Sequence, residues 1–334
     1  MRVTVLGAGQ WGTSLAQVLC DGGSDVLLWG RQQSVVHEIN SIHKNSKALG
    51  VTQLPDQLRA TSSIAEAIEH GEMIVLALPA QSLRANLMEW KGLFTSKHAV
   101  VSSIKGIELQ THRRMSEVVL ESLGLSADRI AILTGPNLAK EVVMRQPAGA
   151  VAASTSEKLA STTAEVFGNS YFRVYTSTDV IGCELSAAAK NVIALAVGIS
   201  IGMGYGDNTQ ALVITRGLNE LTRLGMAYGA SPMTFVGLAG VGDLLATCGS
   251  PLSRNRSFGE ILGRTGSLER ANAHVTATVE GVATSSAIIE LARAKGIDTP
   301  IMSAVSSVVR NTISPEEAMI NLMKINTGVE SNHQ

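Results

Sequence analysis

Three cysteines in 334 residues are too few for a disulfide framework. Cys20, Cys183 and Cys248 form no C-x-x-C pair and no ladder of spacings, so they read as reduced, mostly buried thiols of a cytoplasmic chain. Seven histidines are scattered without an H-x3-H spacing, and no metal site is expected. Aromatic residues make up only 4%, which argues against an all-β sandwich. Net charge is −1, so neither nucleic acid nor an acidic membrane surface has a broad basic face to meet. A small anionic ligand would have to be held by a few local cations. No apolar run reaches about 18 residues, and no membrane span is expected. Met1-Arg2 leads directly into Val3–Leu6, so no signal sequence is expected.

What is present is apolar and glycine-rich: 45% hydrophobic, 16% charged and 32 glycines. That is ample for a core, and the length exceeds what one core usually spans, so two domains are expected. The first half alternates short β-branched runs with helical stretches. Strands are predicted at Val3–Leu6, Asp25–Trp29, Met73–Leu78, Ala99–Ile104, Ile130–Leu133, Ala148–Ala153 and Phe172–Tyr175, and helices at Thr13–Leu19 and Glu157–Phe167. This rhythm implies a mostly parallel, Rossmann-like α/β sheet with right-handed crossovers. From Thr178 the strand signals nearly vanish. Helices are predicted at Asp179–Ile201, at Asn208–Leu224 (ended by Gly225), from Ser231-Pro232, at Leu244, and at Arg254–Leu262, Ser285–Ala294 and Pro315–Leu322. A dinucleotide-binding domain over 1–178 and an all-helical substrate domain over 179–334 follow, with a frayed polar tail after Gly328.

Several motifs carry chemistry. Gly7-Ala8-Gly9-Gln10-Trp11-Gly12 follows a strand and opens a helix. Gly7 allows a tight turn, Gly9 lets backbone approach a pyrophosphate, and Gly12 lets helix and strand pack closely. At the end of the second strand, where NAD-specific folds place an acid for the ribose, the chain reads Leu28-Trp29-Gly30-Arg31; Asp25 lies at the wrong end. Arg31 suits a 2′-phosphate or a stack on adenine, which favours NADP(H), or tolerance of NAD(H) as well. Lys105 in Ser103-Ile104-Lys105-Gly106 and the rigid turn Thr134-Gly135-Pro136-Asn137 end two sheet strands at the ligand-binding face. Ala187-Ala188-Ala189-Lys190-Asn191 places a lysine in a very apolar helix, where it must pair or snorkel. Gly240-Val241-Gly242-Asp243 with Thr247 follows. Ser253-Arg254-Asn255-Arg256 then sets a cap, a cation and an amide at a helix start, a suitable phosphate cradle.

Taken together and in order, GAGxWG, the IKG lysine, TGPN, the KN pair, RGLxE at Arg216–Glu220, AGxGD with Thr247, and SRNRxFG resemble NAD(P)-dependent glycerol-3-phosphate dehydrogenase of the bacterial type over nearly the whole chain. The resemblance implies reversible reduction of dihydroxyacetone phosphate to sn-glycerol 3-phosphate, the glycerophospholipid precursor, in a cytoplasmic homodimer. It implies Lys190 as acid/base, supported by Lys105 and Asp243. It assigns Gly7, Gly9, Gln10, Trp11, Gly12, Arg31, Lys105, Ala139, Arg254, Val279 and Glu280 to the cofactor. It assigns Lys105, Gly135, Asn137, Lys190, Asn191, Asp243, Thr247, Ser253, Arg254 and Asn255 to the substrate. Two positions depart from the family pattern: Gln10 stands where serine is usual, and Asn137 where serine or threonine is common. Two rival readings remain. One is another Rossmann-plus-helical dehydrogenase, acting on a β-hydroxyacid or 6-phosphogluconate, which shares the glycine start and the helix lysine. The other is a non-catalytic NADPH-sensing regulator, which would not need Lys105, Lys190 and Asp243.

Overall fold

The computed structural model describes residues 1–275 and 279–325. The predicted tail after Gly328 lies outside them. Eight strands form one sheet: β1 (Arg2–Leu6), β2 (Asp25–Trp29), β3 (Arg59–Thr61), β4 (Met73–Leu76), β5 (Ala99–Ser102), β6 (Ile130–Thr134), β7 (Ala148–Ala153) and β8 (Phe172–Ser177). Their order is β3-β2-β1-β4-β5-β6-β7-β8. The sheet is parallel except for β7, which runs antiparallel to β6, with Leu133 opposite Ala152. The sheet is thus mostly parallel, as the rhythm of the sequence implies. β3 was not legible because a three-residue strand carries too little periodicity.

The helices on the sheet are α1 (Gln10–Asp21), α2 (Gln33–Ile42), α3 (Ser46–Leu49), α4 (Ile64–His70), α5 (Leu83–Trp90), α6 (Met115–Leu123), α7 (Ala139–Val143) and α8 (Glu157–Phe167). Val3, Val5, Val75, Val101 and Ala131 from the strands and Leu15, Val18 and Leu19 from α1 are fully or almost fully buried in one core. Strands buried on both faces read as continuous apolar runs, which is why they were visible in the sequence.

Among the described residues, the remaining elements are helical: α9 (Val180–Gly202), α10 (Asp207–Ala227), α11 (Pro232–Phe235), a π turn (Leu238–Gly242), α12 (Asp243–Gly249), α13 (Arg254–Thr265), α14 (Leu268–His274), α15 (Glu280–Ala294), α16 (Pro300–Val309) and α17 (Pro315–Met323). The Ser231 side chain caps α11 and Pro232 is its first residue. Gly225 does not end α10, which continues to Ala227. A Cβ there would lie 2.1 Å from Phe235 Cζ, so the glycine makes room for a buried ring. Two stretches, Val180–Gly202 and Pro232–Gly249, are long and apolar enough to cross a membrane by composition, against the sequence expectation. In the first, 83% of the apolar window is buried inside the protein, as in a core helix. The chain divides into two compact units, one of residues 1–105 and 113–183, the other of 106–112 and the residues from Glu184 onward.

Candidate functional site

In the sheet-containing unit, the three motif glycines have separable roles. Gly7 has φ +127°, and a Cβ on it would lie 2.3 Å from the Ala77 carbonyl oxygen. A Cβ on Gly12 would lie 1.9 Å from the Gly7 oxygen. Both positions therefore exclude side chains for reasons internal to the fold. Around Gly9 nothing comes within 4 Å of a Cβ, so its backbone faces open space at the start of α1. No acidic residue occupies the first turn of α1. An open glycine beside the unpaired N–H groups of a twelve-residue helix fits a pyrophosphate.

The other residues expected at the cofactor are distributed around this loop. Gln10 Nε2 donates to the Ala48 carbonyl at 3.3 Å. Trp11 packs partly buried against the core, and its indole N–H has no hydrogen-bond partner. The Ala139 carbonyl, at the start of α7, accepts from Ser14 Oγ at 3.2 Å, tying α7 to α1. Exposed Arg31 donates to Asn86 Oδ1 at 3.4 Å. Asn86 is itself oriented by a 2.8 Å bond to the Ser82 carbonyl. The first turn of α2 contains no acid, so nothing there mimics the carboxylate that selects an unphosphorylated ribose.

Lys105 Nζ donates to the Gly135 carbonyl at 3.2 Å, which sets the lysine over the Thr134–Asn137 turn. Gly135 has φ +139°, and a Cβ would lie 2.9 Å from the Gly149 oxygen. Asn137 Nδ2 donates to that same oxygen at 2.9 Å. Its Oδ1 and the Thr134 hydroxyl are buried without a partner. Buried polar atoms are normally satisfied, so these two leave hydrogen-bonding capacity at the turn that a polar ligand group could use.

In the helical unit, Lys190 neither snorkels nor stands alone. Its ammonium donates to Asp243 Oδ1 and, at 2.7 Å, to Thr247 Oγ1. The lysine and aspartate side chains are 6% and 2% exposed. Thr247 in turn donates to the Asp243 carbonyl at 2.6 Å, four residues back on α12. The π turn delivers Asp243 to the first position of α12; a Cβ on Gly240 would sit 2.1 Å from the Phe235 oxygen, so only glycine allows that turn. Burial pushes the neighbouring Cys248 thiol up to about 12, so it is inert.

Asn191, the next residue, accepts from Asn255 Nδ2 at 3.0 Å, and Asn255 Oδ1 accepts from the Gly281 N–H at 2.9 Å. Ser253 caps α13 by accepting from the Arg256 N–H, which places exposed Arg254 as its first residue. Val279 and Glu280 begin α15 beside Gly281. Close helix crossing brings these groups together. Cβ atoms on Gly198 and Gly202 of α9 would lie 2.1 and 2.0 Å from the Arg256 and Glu260 oxygens. Those on Gly259 and Gly263 of α13 would lie 2.3 and 2.2 Å from the Leu195 and Ile199 oxygens. Contacts rise together along both helices, so the pairing continues down to Asn191 and Asn255. Gly281 was missed, although a Cβ there would lie 2.6 Å from the Asn191 oxygen. The signal available was the pair of glycines four apart in each helix.

Glu220, the last residue of RGLxE, is not at these clusters. Its carboxylate accepts from the Ile301 and Met302 N–H groups at 2.7 and 3.1 Å, capping α16 from a distance. Burial pushes it up to about 7.

Two family models match, one described as the NAD-dependent glycerol-3-phosphate dehydrogenase N-terminus over residues 2–160, the other as its C-terminus over 179–320. The chain belongs to the NAD-dependent glycerol-3-phosphate dehydrogenase family. Relatives named glycerol-3-phosphate dehydrogenase [NAD(P)+] include one from Streptomyces griseus, 49% identical over 323 residues, spanning 97% of this chain and 96% of the relative. Another, from Corynebacterium jeikeium, is 48% identical over 324 residues and spans 97% and 98%. A solved glycerol-3-phosphate dehydrogenase from Coxiella burnetii superposes with a TM-score of 0.91 at 32% identity, covering 97% of this chain and 98% of that one. Membership of this family sets aside the hydroxyacid-dehydrogenase and regulator readings.

Proposed function

We propose that this family member reversibly reduces dihydroxyacetone phosphate to sn-glycerol 3-phosphate with NAD(P)H, supplying the glycerophospholipid backbone. The observation that carries the reading is the buried Lys190–Asp243–Thr247 cluster adjoining the Asn191–Asn255 pair. The reduced nicotinamide, when bound, supplies the hydride. Lys190 holds the proton that the ketone oxygen takes as it becomes a hydroxyl, and returns to the ammonium form from solvent. Asp243 and Thr247 each accept an N–H of Lys190, and these two bonds orient the ammonium. The same ammonium stabilises the developing alkoxide.

Arg254 and the first turn of α13 receive the phosphate, with Ser253 holding that turn. Asn191 and Asn255 each use one amide N–H internally, on the Ala187 carbonyl and on Asn191 Oδ1, and each has a second for a phosphate oxygen. Val279 and Glu280 belong to the cofactor in this reading, as does Arg254. In the sheet unit, Lys105 with Gly135 and Asn137 contacts substrate, and Arg31 favours NADP(H). Exposed Met226, Met233, Val236 and Leu245 support a homodimer through the helical unit. Three buried, unbridged cysteines support a cytoplasmic setting.

Arg254→Ala tests the reading. Loss of a charge-assisted contact is worth about 1.5–3 kcal/mol, so kcat/KM for dihydroxyacetone phosphate should fall by roughly one to two decades. Unphosphorylated dihydroxyacetone should suffer much less. An equal loss with both substrates would exclude Arg254 as the phosphate anchor.

A further inference from the structure

The segment between α2 and β3 contains none of the motif residues, yet it is bonded to both turns expected to face the cofactor. Asn45 is 1% exposed. Its Nδ2 donates to the Ala8 carbonyl at 3.0 Å and to Thr13 Oγ1 at 2.9 Å, across more than thirty residues of chain. Its Oδ1 accepts from the Ala48 N–H at 3.3 Å, capping α3. Both donors and the acceptor are therefore engaged. Ala8 lies between Gly7 and Gly9, and Thr13 lies in the first turns of α1. The tie is doubled by Gln10, whose side chain reaches the Ala48 carbonyl. A third tie runs from Lys47 Nζ to Gln32 Oε1 at 3.2 Å, beside Arg31.

Three glycines in six residues give the loop few side chains with which to hold its own shape. Its conformation has to be imposed from outside, or it must be ordered when the ligand arrives. A buried asparagine that bonds the one non-glycine carbonyl inside G-A-G supplies that constraint.

We propose that Asn45 is a positioning residue for cofactor binding. It holds the glycine loop so that the N–H groups at the start of α1 are already arranged for a pyrophosphate, and binding is relieved of the ordering entropy. The inference rests on the reading of this loop as the pyrophosphate seat. Pyrophosphate is common to NADPH and NADH, so Asn45 strengthens both equally and leaves the choice between them to Arg31.

The test measures cofactor affinity of the full-length protein by titration calorimetry. Asn45→Asp is nearly isosteric and keeps the cap on α3, but it removes both donors and turns an oxygen towards the Ala8 carbonyl. Asn45→Ser keeps a capping oxygen and loses the reach. Each variant should weaken NADPH and NADH alike by roughly tenfold, the worth of about one net hydrogen bond. The NADPH/NADH ratio should stay within about twofold of wild type, as should KM for dihydroxyacetone phosphate at saturating cofactor. A merely structural asparagine would lower the melting temperature and leave the affinities alone. Folded variants with unchanged affinity overturn the proposal, and so does a change confined to one cofactor.

Hydrogen exchange on the cofactor-free wild type needs no variant. The Gly7 and Thr13 amides, bonded to the Trp29 and Gly9 carbonyls at 3.0 and 2.9 Å, should be protected before any ligand is added. Exchange at an unstructured-chain rate there refutes preorganisation. Gly9→Val separates this proposal from the reading beneath it. If that variant binds cofactor normally, the pyrophosphate seat itself is wrong. If it abolishes binding while the Asn45 variants do not weaken it, only the role of Asn45 falls.

Discussion

Lys190→Met has two separable consequences, and their sizes follow from burial. The lysine and aspartate side chains are 6% and 2% exposed, so removing the ammonium strips a buried carboxylate of its counter-charge. Deleting one partner of a buried pair costs about 3–5 kcal/mol, against a typical domain stability of about 5–15. The single variant should therefore unfold at clearly lower urea concentration. In Lys190→Met/Asp243→Asn the stranded charge is gone, and most of that loss should return. Activity should not follow stability. General acid catalysis contributes about 10²–10⁴-fold, so kcat should drop at least roughly a hundredfold in both variants, or about 2.7 kcal/mol. NADPH affinity should stay nearly intact, because neither Lys190 nor Asp243 is among the residues assigned to the cofactor. The assays are urea titration followed by circular dichroism, NADPH oxidation at 340 nm (about neutral pH), and fluorescence titration of the cofactor. A folded double variant retaining more than about a tenth of wild-type kcat would refute Lys190 as the proton donor, since one decade is only about 1.4 kcal/mol.

Gly9→Ala should fold with a melting temperature within about 2 °C of wild type, because its Cβ meets no protein atom, yet bind both cofactors poorly. Gly12→Ala should instead be strongly destabilised, its Cβ falling 1.9 Å from the Gly7 oxygen; thermal melts with and without cofactor separate the two behaviours. Arg31→Asp should move the ratio of kcat/KM from NADPH towards NADH by removing a phosphate partner and adding repulsion, and an unchanged ratio rejects that role. Glu220 stands at about 7 in the folded chain against 4.5 ordinarily, so between those values the folded state holds a proton that the unfolded chain has released. Stability should then fall as pH rises from about 4.5 to about 7, by up to about 3 kcal/mol, and Glu220→Gln should flatten that slope in urea titrations.

Local signals were read correctly wherever the cause was local. Each buried strand of four or more residues announced itself as an apolar run, and Ser231-Pro232 and Ser253 marked helix starts because a cap acts within one turn. The tight turn at Gly7 and the close packing at Gly12 were also legible, since the turn they build spans only six residues. Gly225 misled for a complementary reason. A glycine in a helix reads as a stop unless one knows that the Phe235 ring lies on it.

By itself, the sequence determined which chemical groups were available, on which element each would lie, and the family to which their order belongs. Only the tertiary structure decided who meets whom. Lys190 is bonded across 53 residues to Asp243, Asn191 across 64 to Asn255, and Asn45 across 37 to Ala8. The antiparallel entry of β7 and the distant cap that Glu220 provides for α16 are likewise pairings between remote segments. Periodicity and capping report the surroundings of a residue within a turn or two of chain. The partners of a buried charge are set by how closely helices approach, and in this protein that approach depends on glycines in α9 and α13 that touch the opposite backbone.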